Sequence, residues 1–224
     1  MASQGLPSRS VTLHVLRIKG VAEAGALATA TGFGMEQITS ALADLVARGL
    51  AEYRDGVLTG WRPTAPGVRH DDAWLCRELE AAGARTALEE AYHSFLALNP
   101  ELLRACTAWQ LVDAGDGSQT PNDHRDASYD AGVVAHLAEI HRRVQPVVLE
   151  LSRHLPRFGP YRPRLQTALD RVRAGDGDWF TRPLLDSYHQ VWFELHQDLL
   201  STLGLDRTTE MPPVDEHSGS SEPR

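Results

Sequence analysis

The sequence is poor in cysteine and has no long apolar run, and each shortage excludes a class of protein. Its 224 residues include only two cysteines, Cys76 and Cys106, which are too few for a disulfide framework and lack metal-type spacing. No stretch approaches the roughly 20 apolar residues that a membrane helix requires. The first ten residues contain no apolar core of a secretory signal, so the cytoplasm is the expected location.

The charge is negative overall but unevenly distributed along the chain. A formal net charge of −8 argues by itself against a nucleic-acid partner. Residues 1–70 nevertheless contain seven Arg or Lys against five Asp or Glu, a surplus of +2, while the remaining residues contain 15 against 25, a deficit of −10. The small positive surplus therefore lies in the N-terminal third, and the rest of the chain is acidic.

The N-terminal third predicts three helices in succession. Residues 1–10 are expected to form a flexible leader, followed by helices over Val11–Lys19 and Val21–Thr31. A glycine-rich turn at 32–34 permits a sharp reversal before the next helix. That third helix begins at Met35, ends at Arg48-Gly49, and is predicted to bury one apolar face, formed by Ile38, Leu42, Leu45 and Val46.

A β-hairpin is predicted immediately after the third helix. The two short runs Leu50–Arg54 and Val57–Trp61 have strand-type composition, and Asp55-Gly56 is typical of the tight turn that joins such strands. Two helices separated by a glycine turn and followed by a hairpin match the order of a winged helix-turn-helix. The alternative is a plain helical hairpin within a larger bundle.

Residues 42–67 also carry a specific pattern of leucine, glycine and threonine. Its positions Leu42, Leu45, Gly49, Leu50, Leu58, Thr59 and Thr64–Gly67 match a pattern of the form LxxLxxxGLxxxxxxxxxLT followed by TxxG, except that seven residues instead of nine separate Leu50 from Leu58. This pattern resembles the recognition helix and wing of MarR-type winged-helix regulators, over residues 11–70. The resemblance implies a winged-helix DNA-binding domain with double-stranded DNA as its partner. Glu36 and Asp44 make the implied DNA-facing surface less basic than is usual in the family.

The first turns of a recognition helix face the major groove, and the wing reaches the phosphates or the minor groove. Glutamine can pair with adenine, serine and threonine can contact either kind of base pair, and methionine can contact a thymine methyl group. The predicted DNA-binding residues are therefore Met35, Gln37, Thr39, Ser40, Arg54 and Arg62. The alternative for the same side chains is an ordinary solvated helix face.

The rest of the chain predicts an all-α domain over residues 71–207, with 208–224 as a disordered tail. Asp71 or Asp72 is expected to cap a helix over Ala73–Leu98 that Gly83 bends or divides. The run 113–123 is expected to be a loop because it is rich in Gly, Pro and Asp. Further helices are predicted over Pro100–Val112, Ala127–His154 and Arg162–Val172, and a closing helix is predicted within Trp179–Leu203, beginning near Pro183. The predicted fold class is thus mainly α, with one two-stranded wing.

Histidine and aromatic side chains suggest where this α-helical domain binds a small molecule. His189 and His196 are seven residues apart, so they lie two helical turns or about 10 Å apart, too far for direct binding of one metal. The candidate effector-binding residues are Trp109, His124, Tyr188, His189, Trp192 and Phe193. The alternative is a filled bundle core with hydrogen-bonded histidines. No metal site is predicted, and the sequence specifies no cofactor.

Together these features predict a DNA-binding transcriptional regulator. The helical domain would dimerise, sense a small molecule, or both, because such modules usually read two half-sites as a homodimer. The rival prediction is an adaptor whose winged helix docks a protein and whose acidic half regulates an enzyme, and the weakly basic recognition face favours it. Since no nucleophile elbow, phosphate loop or dinucleotide fingerprint occurs, the chain itself is not predicted to be an enzyme.

Overall fold

The computed structural model describes residues 8–205 except 114 and 116. It is mainly helical, with two small two-stranded antiparallel sheets. Within those residues, no helix is long and apolar enough to cross a membrane. The tail predicted over 208–224 and the first seven residues of the predicted leader lie outside the described residues.

The first elements form what we term the N-terminal unit, residues 8–63. Its helices are α1 (Ser8–Lys19), α2 (Ala24–Thr31) and α3 (Met35–Ala47), followed by the antiparallel strands β1 (Ala51–Arg54) and β2 (Gly60–Pro63). The segment between α1 and α2 joins this sheet, because Ala22 and Trp61 exchange two backbone hydrogen bonds of 3.0 and 2.9 Å. The hairpin is thereby fixed to the helices at its base.

Four details of this unit differ from the sequence prediction. The first is that α2 begins at Ala24 rather than Val21, because Ala22 pairs with Trp61 instead. Ser8–Ser10 belong to α1 rather than to a leader. The strands are joined by a five-residue loop, 55–59, instead of the two-residue turn Asp55-Gly56, because β2 begins only at Gly60. Ile38, Leu42 and Leu45 are buried as predicted, but Val46 is 43% exposed. Val46 lies just beyond the edge of the apolar stripe that faces α1 and α2.

The remaining elements form the helical half, residues 64–205. Its helices are α4 (Ala65–Ala82), α5 (Arg85–Leu96), α6 (Asn99–Gln110), α7 (Ala127–His154), α8 (Tyr161–Arg173), α9 (Asp178–Thr181) and α10 (Tyr188–Leu203). A short hairpin of β3 (Leu111–Asp113) and β4 (Gln119–Pro121) follows α6, and a 3-10 turn at Pro156–Phe158 precedes α8. The closing helix α10 packs against α4, α5, α8 and α9, so it lies at the centre of this half.

The helical half corrects three further predictions. It is not entirely α-helical, because β3 and β4 pair within the segment expected to be a loop. Asp71 does not cap a helix: α4 begins at Ala65 with Thr64 as its cap, and Asp71 is 1% exposed inside the protein. The closing helix begins at Tyr188 rather than near Pro183, because the Ser187 hydroxyl accepts a hydrogen bond from the Gln190 N–H and caps it there.

Most of the buried hydrophobic side chains form two clusters. One lies within the N-terminal unit, between α1, α2, α3 and the hairpin, and the larger one joins the helices of the helical half. Residues 70 and 71, between which the sequence places a domain boundary, both lie within α4. A continuous helix therefore connects the two halves of the protein.

The turn at Thr64–Gly67 joins the hairpin to α4 by close backbone contact. The Thr64 hydroxyl donates to the Gly49 carbonyl at 2.6 Å and accepts from the Gly67 N–H at 3.1 Å. A Cβ atom on Gly67 would lie 2.0 Å from the Leu50 carbonyl oxygen, which is far inside van der Waals contact. Glycine is required at position 67 because the backbone of residue 50 occupies the space of a side chain.

We expect Gly67→Ala to lower the free energy of unfolding by about 1–3 kcal/mol or more, because the backbone of residue 50 must move. The matched control is Gly25→Ala in α2, where a Cβ atom meets nothing within 4 Å. That change should leave stability equal or raise it by up to about 1 kcal/mol. Urea unfolding of the two variants measures the difference, and equal stabilities would contradict the close contact.

Candidate nucleic-acid interface

The first turns of α3 present an accessible polar surface. Met35 is 50% exposed, and Gln37, Thr39 and Ser40 are all exposed. The opposite face of α3 packs mainly against α1, α2 and β1, all within the N-terminal unit. The acidic helical half therefore does not cover the four α3 side chains predicted to contact DNA.

Local hydrogen bonds decide which of these side chains are available to a ligand. The Gln37 Oε1 atom accepts from the Gly34 N–H at 3.0 Å, and the Thr39 hydroxyl donates to the Met35 carbonyl at 3.0 Å. Ser40 makes no side-chain hydrogen bond to any described residue. The hydroxyl of Ser40 and the amide NH2 of Gln37 are thus free to bind a ligand. Bidentate pairing of Gln37 with a base would first require its Oε1 atom to release the hydrogen bond from the Gly34 N–H.

The two hairpin arginines share one carboxylate. Glu52 Oε1 accepts a hydrogen bond from Arg62 Nε at 2.8 Å and forms an ion pair with Arg54 Nε at 2.9 Å. The hydrogen bond from Arg62 and the charges of both arginines hold the pKa of Glu52 below its ordinary value. Since Glu52 contacts only the Nε atoms, the outer nitrogens of both guanidinium groups remain able to contact phosphate, but the trio carries a net charge of only +1.

The tip of the hairpin is apolar rather than basic. Val57 is fully exposed and Leu58 is 60% exposed. The positive groups therefore lie near the base of the loop, at Arg54 and Arg62. On α3 itself, Asp44 is paired with Arg9 at 2.7 Å. The surface formed by α3 and the hairpin is consequently accessible, with a polar helix face and an apolar hairpin tip. It has no net positive charge, because its three arginines are offset by the carboxylates Glu36, Asp44, Glu52 and Asp55.

A buried polar junction links α1 to the helical half behind this surface. His14 is 1% exposed, with Nδ1 3.0 Å from Asp71 Oδ2 on α4 and Nε2 3.0 Å from Asp198 Oδ1 on α10. The second contact is an ion pair without good hydrogen-bond alignment. Asp198 also pairs with Arg157, whose Nε donates to Glu78 at 2.7 Å. Asp71 and Asp198 therefore hold one imidazole between two helices of the helical half.

A second cluster of charges joins the C-terminal end of α1 to α8 and α10. Lys19 Nζ donates to Glu194 at 2.8 Å and to Asp186 at 3.3 Å. Arg164 Nη2 donates to the same two carboxylates, at 2.5 Å to Glu194 and 3.0 Å to Asp186. Buried ion pairs add little net stability but favour one arrangement, because an unpaired buried charge is costly. The two clusters therefore fix the orientation of the N-terminal unit on the helical half.

The charges of the junction favour a protonated His14. Burial by itself lowers the pKa of His14, but Asp198 and Asp71 outweigh burial and raise that pKa from 6.5 to about 9. Burial likewise raises the pKa of Asp198, while Arg157 and His14 reverse this and hold it well below its ordinary value. The junction is therefore ionic at neutral pH.

The six predicted effector-binding residues do not line one common pocket. Tyr188 and Trp192 are buried in the core of the helical half: Trp192 stacks on Phe95 at 4.4 Å and donates its Nε1–H to Asn99 at 3.1 Å. His189 is half-buried, and burial lowers its pKa. Phe193 is 40% exposed, whereas its neighbour Trp192 is buried.

The other two predicted effector residues do meet, at a different place. The rings of Trp109 and His124 lie 4.4 Å apart, and His124 Nδ1 lies 3.0 Å from Asp130. Both rings line an open polar cleft of about 710 Å³ together with Asp176. Nowhere in residues 8–205, outside positions 114 and 116, are three or more His, Cys, Asp or Glu side chains arranged to hold a metal ion.

Sequence reasoning did not find the residues of the polar junction. One signal was available: Glu194 and Asp198 are four residues apart on the buried face of the amphipathic helix α10, where carboxylates require partners. The identity of those partners, His14, Lys19 and Arg164, could not be read from the sequence. They are distant in the chain, and they reach Glu194 and Asp198 only because α1 and α8 pack against α10.

Comparison of the chain with models of protein families gives no match. Comparison with curated protein sequences and with solved structures gives no significant match either. Functional assignment therefore rests on the geometry and chemistry of the chain itself.

We expect stability to fall between about pH 6.5 and pH 9 because of His14. A raised pKa means that its contribution is complete below the unfolded pKa and is lost as the pH rises through about 9. At 1.36 kcal/mol per pKa unit, the loss is on the order of 3 kcal/mol.

Urea unfolding at pH 6, 7.5, 9 and 9.5 measures this loss. The control is His14→Gln, which keeps a polar side chain but cannot titrate. This variant should be less stable than the native chain at pH 6 and should lack most of the alkaline decrease. An equal decrease in both proteins would show that His14 is not the titrating group.

Proposed function

We propose that this chain is a DNA-binding transcriptional regulator whose N-terminal unit acts as a winged helix. The observation that carries the proposal is the exposed first two turns of α3, with Gln37 and Ser40 accessible and the arginine-bearing hairpin beside them. The order of three helices and a hairpin, with the bridge from Ala22 to Trp61, is consistent with that assignment.

In the proposed mechanism α3 enters the major groove and the hairpin follows the backbone. Ser40 and the NH2 group of Gln37 contact base edges, and the outer nitrogens of Arg54 and Arg62 contact phosphates. The helical half dimerises, binds an effector, or both, and a second copy reads the second half-site. Because the polar junction fixes α1 on α10, a change in the helical half alters the orientation of α3.

Ser40 offers the cleanest test of base contact, because its side chain makes no hydrogen bond within the described residues. We expect Ser40→Ala to weaken binding to the DNA upstream of its own gene by about 1 kcal/mol, or roughly fivefold, and to change binding to scrambled DNA little. Fluorescence anisotropy at 50 mM salt measures both affinities.

The matched control for Ser40→Ala is Ser94→Ala on α5, an exposed serine of the helical half, which should behave as the native protein. Indifference of the native protein to its upstream DNA at low salt would reject the proposed function. Equal effects of the two substitutions would reject the assigned face.

Glu52 should limit the affinity for DNA because it neutralises part of the hairpin charge. We expect Glu52→Gln to tighten DNA binding by about two- to fivefold at low salt and to steepen the dependence of affinity on salt concentration. The control is Glu139→Gln, which also removes an exposed, arginine-paired carboxylate, bonded to Arg142 at 2.6 Å, but in the helical half. Tighter binding by both variants would indicate a general charge effect, and no change in either would remove the hairpin from the interface.

One observation favours the second candidate function, docking of a protein instead of DNA. Val57, Leu58 and Leu184 are exposed apolar side chains around one groove between the hairpin tip and the helical half, and Leu184 is 91% exposed with a φ of 64°. Exposed clustered apolar groups are typical of protein contacts. If the native protein fails to bind DNA, and Val57→Ser with Leu58→Ser abolishes association with a stable co-purifying partner, the adaptor function replaces the regulator.

A further inference from the structure

A cavity of about 400 Å³ lies where the N-terminal unit meets the helical half. Thr29 and Gly32, at the end of α2, form one wall, and Pro160 and Pro163, at the start of α8, form the opposite wall. Pockets of about 300–1,000 Å³ are typical of small-molecule sites. None of the six residues predicted from the sequence to bind an effector lines this cavity.

Most of the cavity surface is apolar. Besides the two prolines, the indole ring of Trp179 contributes to the lining. Arg171 lies over the Trp179 ring at 5.4 Å, so this aromatic wall is held in place from outside. An occupant must therefore be largely hydrophobic, since a polar molecule would exchange water for surfaces that offer few hydrogen bonds.

One end of the cavity carries an unused hydrogen-bond donor. The Arg164 side chain is 6% exposed, its Nε and Nη2 atoms donate to Asp186, and Nη2 also donates to Glu194. Its Nη1 atom makes no hydrogen bond to any described residue and keeps access to solvent, and Arg164 lines the cavity. A guanidinium with accessible, unused N–H groups provides a site for a hydrogen-bond acceptor.

The charge at that end is balanced. Arg164 and Lys19 supply two positive charges, and Asp186 and Glu194 supply two negative charges within the same set of contacts. A ligand with a net charge would leave this cluster with an uncompensated buried charge. An uncharged acceptor, such as a carbonyl oxygen, can bind the free N–H groups of Arg164 without that cost.

We propose that this cavity is the effector site of the protein and that it binds an uncharged lipophilic molecule with one carbonyl-type acceptor directed at Arg164. The existence of the site follows from the geometry alone, whereas its role as an effector site rests on the proposed function. The site is distinct from the histidine and aromatic residues of α10 that the sequence suggested.

Occupancy of the cavity acts on the turn that leads into α3. Gly32 has a φ of 74° and is separated from Gly34, the residue before α3, by Phe33 alone. A ligand held between Gly32 and Pro160 adds contacts from the helical half to the beginning of α3. It therefore favours one orientation of α3 over others and changes the affinity for DNA.

Two fluorescent probes with the same naphthalene body test the ligand class. Prodan is uncharged and carries one ketone, whereas 8-anilinonaphthalene-1-sulfonate carries a negative charge. We expect one prodan per chain to bind the full-length protein with blue-shifted emission, and the sulfonate to bind at least about tenfold more weakly. Equal or tighter binding of the sulfonate would overturn the uncharged-ligand assignment, and failure of prodan to bind would overturn the site.

Substitutions at Thr167, an exposed position of α8 that lines the cavity, test the location. Thr167→Phe fills the cavity without disturbing the buried charges and should weaken prodan binding by at least about tenfold. Thr167→Ser leaves the space open and should bind prodan as the native protein does. Equal prodan affinities of the two variants would place the probe elsewhere and reject the cavity.

DNA affinity measured with and without saturating prodan tests the effector role. We expect prodan to change the dissociation constant for the upstream DNA by at least about fivefold in the native protein and in Thr167→Ser, and not in Thr167→Phe. Unchanged DNA affinity with bound prodan would reject the effector role while leaving the site intact. Absence of DNA binding in any condition would instead reject the proposed function, because prodan titration alone reports on the cavity.

Discussion

The arrangement of the whole protein depends on two carboxylates of one buried helix. Glu194 and Asp198 lie on the inner face of α10, and their cationic partners come from α1, α8 and the turn before α8. Hydrophobic contacts within each cluster stabilise the two halves separately. The buried charges between the halves favour one orientation, because a rotation would leave one of them unpaired. The surface formed by α3 and the hairpin is consequently presented in one defined orientation.

Local patterns in the sequence predicted local structure well. The spacing of Ile38, Leu42 and Leu45 predicted the buried face of α3, and the Thr64–Gly67 turn corresponds to a real steric requirement against Leu50. The loop at 55–59 was missed because Asp55-Gly56 alone is typical of a shorter turn. The small β3–β4 hairpin was missed because its three-residue strands lie beside glycine-rich segments and have almost no pattern of their own.

Long-range features could not be predicted in the same way. Tyr188 and Trp192 are residue types that often line ligand pockets, but here they are core residues. Their spacing in the sequence does not reveal this, because it depends on the side chains that surround them in the fold, such as Phe95 against Trp192. Asp71 has the sequence position of a helix cap but the environment of a buried ion pair, because α4 starts six residues earlier. The proposed DNA-contacting residues are accessible, and the pairing of Arg54 and Arg62 with Glu52 is a property of the folded hairpin that only the three-dimensional structure reveals.

The continuity of α4 has a consequence for how this protein can be rearranged. Gly67 packs against the backbone of Leu50, which precedes β1. Asp71 lies one helical turn, or about 6 Å, further along α4 and pairs with His14 in the polar junction. The single helix α4 therefore contacts both the hairpin and the polar junction. A chimera that joins residues 1–63 to an unrelated protein would lose the contacts of Gly67 with Leu50 and of Asp71 with His14. We therefore expect the N-terminal unit and the helical half to recombine in evolution only as one piece.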